Sequence, residues 1–422
     1  MADTPPTRPR PANWLRVFLP FAFGYYLSYL LRNANAVLAP ELTRELSLSA
    51  ADLGLLTSTY FFAFGAFQIP LGILLDRYGP RRVEATLLLF AAGGTLVFAW
   101  GHNIGELAVG RGLIGLGVSA CLMAGLKNFS QWYPAERQSS LTGAIMAAGG
   151  LGMITASIPM EMLLPVLGWR GVFVLLTAIL VAAAAFLFVA VPDRQDGIAK
   201  STMKEQWQGV AHIFKSRDFW RFAPLMTLFS GGFMAVQGLW AVPWFLNVDG
   251  LTRDGAAQHL FAMAVASLTS FFAMAAFSTK LIRRGVKPAA LMGGLLAVAW
   301  VCLVMITTRI GPQLPLWAMT SFCASTVTLG YAALGGHFAP ALYGRVSTAL
   351  NLAAFVGAFS LQWGLGVLID LFVAADWSKA SAFRAAFAVM ATLQLLSWVW
   401  FVVAGRRQAA LRTSPAHVRP TP

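Results

Sequence analysis

Charge is what this 422-residue chain has least of. Only 11% of its residues are Asp, Glu, Lys or Arg and 58% are hydrophobic, whereas an ordinary soluble domain carries about 25% charged residues. That balance excludes a soluble globular fold and points to a chain embedded in a bilayer. Cysteine is also scarce: Cys121, Cys302 and Cys323 all lie in apolar runs without C-x-x-C spacing, so neither a disulfide framework nor a zinc site is implied. Five scattered histidines provide no cluster for a membrane-embedded enzyme. No G-x-x-x-x-G-K-[ST] loop occurs, so ATP drive has no support. No cofactor is expected. The formal charge of +14 might suggest nucleic acid, but its basic residues stand singly or in pairs between apolar runs. Orientation in a bilayer explains them, and no nucleic-acid partner is expected.

What is present is a succession of long apolar stretches. A hydrocarbon core about 30 Å thick needs roughly 20 apolar residues per helix. Segmenting on that length predicts an all-α integral membrane protein with twelve spans. Residues 1–13 form a polar tail with no apolar core of a cleavable signal. A first six-helix bundle covers 14–191, a polar linker 192–219 is expected to form an amphipathic helix on the inner face, a second bundle covers 220–404, and 405–422 form another tail. With both termini placed inside, Lys and Arg concentrate on the inner side. The outer side collects Arg32, Arg44, Arg170, Arg253, Arg309, Lys379 and Arg384. The asymmetry supports both the count and the orientation.

Between the second and third spans lies G-I-L-L-D-R-Y-G-P-R-R, from Gly72 to Arg82. Gly72 permits close helix approach, Asp76 and Arg77 follow at a helix end, Gly79 and Pro80 turn the chain, and Arg81 and Arg82 anchor it on the inner side. Shifting the chain by 206 residues lays Arg77, Gly79 and Arg81 onto Arg283, Gly285 and Lys287. The two halves therefore read as copies, the second with a degenerate loop. Repeated halves around a midplane site are a transporter pattern.

These features resemble the major facilitator superfamily, whose signature loop G-x-x-x-D-R-x-G-R-R follows the second helix. Arg111-Gly112-x-x-Gly115-x-Gly117 is similar to that family's fourth-helix element, and Trp132-Tyr133-Pro134-x-Glu136-Arg137 and Gly168-Trp169-Arg170-x-x-Phe173 are also similar to family segments. The stretch Y-L-L-R-N-A-N-A-V-L-A-P-E-L resembles a bacterial subgroup that includes amino-acid importers. The resemblance implies two pseudo-symmetric six-helix bundles, alternating access and a multi-pass protein of the bacterial inner membrane. It also implies that Asp76 holds the inner side closed against the start of the eleventh helix near Gly344. Departures narrow it. The paired arginines of nitrate porters, the P-E-S-P-R of sugar porters and the Gly-Pro pair of drug antiporters are absent, which favours import.

Arginine inside a span marks a functional site by default. Arg111 is therefore a substrate-binding candidate, beside the alternative that it bonds the backbone of a neighbouring helix. Lys127 either joins it or reaches toward the headgroups. Tyr25, Tyr29 and Arg32 fall on one helical face and could offer a guanidinium fork to a carboxylate. On the second half Gln237, Trp240, Tyr331, Asn351 and Gln362 are candidate cavity residues, beside ordinary packing. Acids within the spans are few. Asp370, Glu161 and His259 are the proton-coupling candidates, while Glu84 and Glu106 sit at span starts. His259 and Met263 stand one turn apart, a spacing that soft Cu(I) could use, but no resident metal is expected.

The expected function is a monomeric secondary transporter, not an enzyme, taking up a small organic anion or amino acid with or without a coupled proton. Its remaining partner is membrane lipid. The alternatives are a proton-coupled multidrug or metabolite exporter, a copper importer and a transporter-like sensor.

Overall fold

The computed structural model describes residues 14–133, 135–192, 208, 211–338 and 342–413. The first tail, most of the predicted linker helix, including Lys200, Lys204 and Glu205, and residues 414–422 lie outside the described residues, while the twelfth helix continues through the first part of the expected second tail to Thr413. Within them every regular element is helical. Nine helices are long and apolar enough to cross a membrane. The first, fifth and tenth passes fall below that measure for separate reasons. The first, Leu19–Leu46, carries Arg32, Asn33 and Asn35 in its middle, the apolar stretch of the fifth, Ser140–Thr155, is too short, and the tenth is broken.

Pass by pass, the architecture is the predicted one. Ala50–Trp100 holds the second and third passes, separated at Gly79, where φ is 77°. Gly285, between the eighth pass (Arg253–Arg283) and the ninth (Pro288–Thr308), has φ 88°. The two glycines that the half-chain shift superposes thus share a left-handed backbone that a side chain would strain. The fourth pass joins Ile104–Gly117 to Cys121–Trp132. The fifth continues into Ile158–Ala190, which breaks at Gly168 to begin the sixth. In the second half the seventh pass runs from Arg217 to Asn247 through two π-helical turns, Met226–Ser230 and Val236–Trp240. The tenth passes from Gln313–Ala324 through the 3-10 turn Ser325–Thr328 to Leu329–Gly335. Tyr343–Ala374 and Lys379–Thr413 form the eleventh and twelfth.

Small residues bring the helices together, as expected where lipid gives no hydrophobic drive between them. A Cβ at Gly94 would stand 2.7 Å from the Ile114 nitrogen, and one at Gly110 2.8 Å from the Phe98 nitrogen, so the third and fourth passes touch backbone to backbone. Large side chains such as Val189, Val166 and Leu396 are exposed on the outside of the bundle, where a lipid-facing surface tolerates them. Between the halves, Gly366 of the eleventh pass meets the Ala50 backbone, and Gly150 of the fifth meets Leu268 of the eighth.

Candidate functional site

Where the first, second and eleventh passes converge, Arg32 is buried to 8% exposure. Its position follows from helical spacing: Tyr25, Tyr29 and Arg32 share one face of the first pass, and that face is turned toward the second half. The guanidinium carbon lies 4.6 Å from the Tyr29 ring, 5.2 Å from Phe64, 5.7 Å from Phe355 and 5.9 Å from Tyr60. Three walls of this cage come from the first half and one, Phe355, from the second. Phe64 and Phe355 stack at 4.3 Å across the divide. Among the described residues no carboxylate forms an ion pair with Arg32, and its Nε has no hydrogen-bond partner. Aromatic faces attract a cation by roughly 0.5–2 kcal/mol each. Tyr60 is the one side-chain hydrogen-bond partner of Arg32, Nε stays unsatisfied, and an anion would satisfy it.

Unmade hydrogen bonds cluster around the same place. Gln362 is fully buried with neither amide atom partnered, and Gln237 Oε1 and Asn35 Oδ1 are likewise free. A Cβ on Gly238 would stand 3.5 Å from the Arg32 carbonyl and 3.7 Å from Gln362 Nε2, which places that amide beside the first pass. Gln237 and Trp240 sit in the second π turn of the seventh pass, an irregularity that often marks function. Gln237 Nε2 has only the Met153 sulfur, at 3.4 Å. Trp240 Nε1 donates to the Gln362 carbonyl at 2.9 Å. Tyr331 donates to Asn351 Oδ1 at 3.2 Å, and its hydroxyl lies in the field of Arg32, as does that of Tyr25. Tyr25 turns its hydroxyl to the Met146 sulfur, 3.5 Å away, and its ring meets Tyr29 edge-on at 5.0 Å.

Other expected candidates lie elsewhere. Arg111 is fully buried and donates through Nη1 to the Leu31 carbonyl at 3.0 Å, with Tyr60 at 5.2 Å. It braces the backbone one residue before Arg32, and its Nε, like that of Arg32, has no hydrogen-bond partner. Lys127 is paired with Asp76 at 2.5 Å, a contact inside the first half. In the same turn Arg81 lies over the Phe188 ring and Arg77 over Tyr78. Asp370 accepts from the Ala50 and Ala51 amides. Glu161 is 3.9 Å from Arg253, which pairs more closely with Glu41 at 2.9 Å. His259 holds its Nδ1 2.9 Å from the Gly255 carbonyl with its ring on Phe245, and Met263 borders a small apolar pocket in the second half. No group of three or more metal-ligating side chains occurs among the described residues. The cage residues Tyr60, Phe64 and Phe355 were not expected. Their only signal is the i, i+4 spacing of Tyr60 and Phe64, which any core helix shows.

The sequence profile of the Major Facilitator Superfamily matches residues 21–361. The chain belongs to this superfamily. It is a superfamily of transporters rather than enzymes, and its fold accounts for the two six-pass halves. Among curated relatives, a hexuronate transporter of Escherichia coli K12 is 28% identical over 233 residues, covering 50% of this chain and 52% of that protein. A galacturonate transporter of Dickeya chrysanthemi is 31% identical over 181 residues, covering 42% and 51%. A probable L-galactonate transporter of E. coli K12 is 25% identical over 207 residues, covering 49% and 46%. The chain therefore spans about half the length of the curated relatives it matches. Among solved structures, a bacterial homolog of the human lysosomal transporter Spinster superposes with a TM-score of 0.75 at 16% identity, covering 94% of this chain and 98% of that one. The superfamily's fold extends over nearly the whole chain.

Proposed function

We propose that this protein is a secondary transporter of small hydroxylated organic anions, of which sugar acids such as galacturonate are the type, working by alternating access in the bacterial inner membrane. The observation that carries the reading is the buried, cation-only character of the Arg32 cage. A guanidinium at mid-membrane with no protein anion beside it is costly, and a substrate carboxylate supplies the missing charge through two parallel hydrogen bonds. The unpartnered amides of Gln237 and Gln362, with Asn351 and Tyr331 across from Arg32, suit hydroxyl groups on the rest of the solute. The names of the superfamily relatives point to the same class, hexuronates and galactonate. The cage draws walls from both halves, so rocking one half against the other opens it. The Gly72–Arg82 turn on the cytoplasmic side fits the distribution of basic residues.

The test is binding and flux with Arg32→Gln. Purified wild-type protein is expected to bind galacturonate, and the variant to lose at least about 2 kcal/mol of that affinity, or roughly thirtyfold, as when one member of a buried charge pair is removed. Sealed proteoliposomes should lose galacturonate flux in parallel. Equal binding of galacturonate by both proteins, or binding of neutral sugars as tightly as their acids, would sink the anion reading.

A further inference from the structure

Glu84, in the first turns of the third pass, is fully buried, and neither carboxyl oxygen has a hydrogen-bond partner. The site is made for it by a gap in the first pass. A Cβ added at Gly24 would lie 2.2 Å from Glu84 Oε1, so a side chain there would displace the carboxyl from its present position. On the fourth pass the Cys121 sulfur stands 3.8 Å from that same point and lies in the fields of both Glu84 and Arg32. Its one polar neighbour is the Cys121 thiol, a weak donor that leaves the carboxyl without a charged or strongly hydrogen-bonding partner. Of the titratable or charged groups on the passes packed against it, Cys121 is the one that acts on it directly; Arg111 and Lys127 on the fourth pass and Tyr25, Tyr26, Tyr29 and Arg32 on the first stand further along those helices.

We propose that Glu84 is the proton-binding site that couples transport to the proton gradient: it holds a proton while the anion occupies the Arg32 cage and gives it up when the anion has left. The inference rests on the anion reading of that cage. A lone ionised carboxylate in a sealed apolar site costs several kcal/mol, so the neutral acid is the form this closed arrangement accommodates. Gly24 and Arg32 are eight residues apart, about 12 Å along the helix axis. At that separation in a protein-like dielectric, an ionised Glu84 would offset the field that Arg32 offers an anion by about tenfold in affinity. A proton on Glu84 removes the offset. By linkage, a bound anion favours the proton to the same extent, so the two are carried together. The step is proton binding and release at one oxygen, with no other bond made or broken. Rocking of the halves would have to open the Gly24 side to water on each face in turn.

Infrared spectroscopy of the purified protein tests the site without any substrate. At neutral pH the wild type should show the carbonyl stretch of a buried carboxylic acid with no more than a thiol as hydrogen-bond partner, missing from Glu84→Gln and displaced in Gly24→Ala. In proteoliposomes, Glu84→Gln should retain galacturonate counterflow, which also certifies its fold, while losing accumulation driven by an acid-outside gradient. Its galacturonate affinity should stay at the acid-side value while that of the wild type weakens about tenfold as pH rises. Absence of the wild-type band, a band unchanged by Glu84→Gln, or gradient-driven accumulation by that variant equal to wild type would each overturn the assignment. If wild-type protein neither binds nor carries galacturonate, the substrate proposal fails, and the infrared band alone still decides Glu84.

Discussion

Asp370 Oδ2 accepts the backbone amide of Ala51 at 2.7 Å, and its Oδ1 accepts that of Ala50 at 3.0 Å. One aspartate near the end of the eleventh pass thereby caps the start of the second, joining the halves on the face opposite the Gly72–Arg82 turn. A carboxylate at a helix N-terminus meets both unpaired amides and the positive end of the helix dipole. On the same face Arg253 of the eighth pass reaches Glu41 of the first. Asp76 stands near the end of the second pass as Asp370 stands near the end of the eleventh, and the expected latch between Asp76 and the eleventh pass would be its counterpart at the other face.

Replacing Asp370 by Asn keeps one acceptor oxygen but removes the charge. The lost interaction is worth about 1–2 kcal/mol, so the ratio of conformers closed to those open on that face should fall roughly tenfold. Spin labels at Trp100 and Trp377, both exposed and on separate halves, should report a longer distance population in Asp370→Asn. An unaltered distribution would show that the cap does not hold the face closed.

Asp76 and Lys127 should behave as a coupled pair. Asp76→Asn is expected to lower uptake by shifting the balance of conformers, with expression and melting temperature unchanged. Lys127→Met should cost less in the Asp76→Asn background than alone, with a coupling energy of about 0.5–2 kcal/mol. Additive effects in proteoliposome flux, or normal kinetics in the single Asp76 variant, would remove the pair from the gating mechanism.

The parts of this molecule legible in its sequence are those set by local rules. Span length, the Gly79 turn, its repeat at Gly285 and the shared face of Tyr25, Tyr29 and Arg32 all follow from periodicity and backbone freedom. Roles that depend on which helix lies opposite were not legible. Arg32 and Arg111 are both arginines within spans, and only tertiary placement gives one an aromatic cage and the other the Leu31 carbonyl. Glu84 looked like a residue of a helix start, because its neighbours Gly24 and Cys121 lie 60 and 37 positions away in sequence. Among the described residues nine helices are long and apolar enough to cross a membrane, and the first pass is not one of them because the polar groups that equip it also dilute its apolar signal.

The contrast between the two arginines is itself testable. Arg111 is sealed and braces the first pass one residue before Arg32, so Arg111→Gln should act on the fold first. We expect a stability loss of about 1–3 kcal/mol from the lost hydrogen bond to the Leu31 carbonyl and the lost cation–π contact, read as a lower melting temperature in detergent. Galacturonate affinity per folded molecule should fall much less than in Arg32→Gln. A variant as stable as wild type that has lost binding would instead put Arg111 in contact with the solute.

Phe355 is the one wall of the Arg32 cage contributed by the second half, and it stacks on Phe64 from the first. Its removal separates two roles that the other walls combine. In Phe355→Leu the apolar seal is largely kept while the π-face is lost, so Arg32 should forfeit about 0.5–1 kcal/mol of cation–π attraction only in conformers where the halves are closed around it. Galacturonate affinity should therefore change by less than about fivefold, while the closed-to-open ratio measured with the Trp100 and Trp377 labels should fall by a similar factor. Phe64→Leu, which alters the cage from within the first half, should affect binding in both conformers. If the two variants prove indistinguishable in binding and in distance distribution, the cage is not divided between the halves in the working protein, and its opening is not what releases the anion.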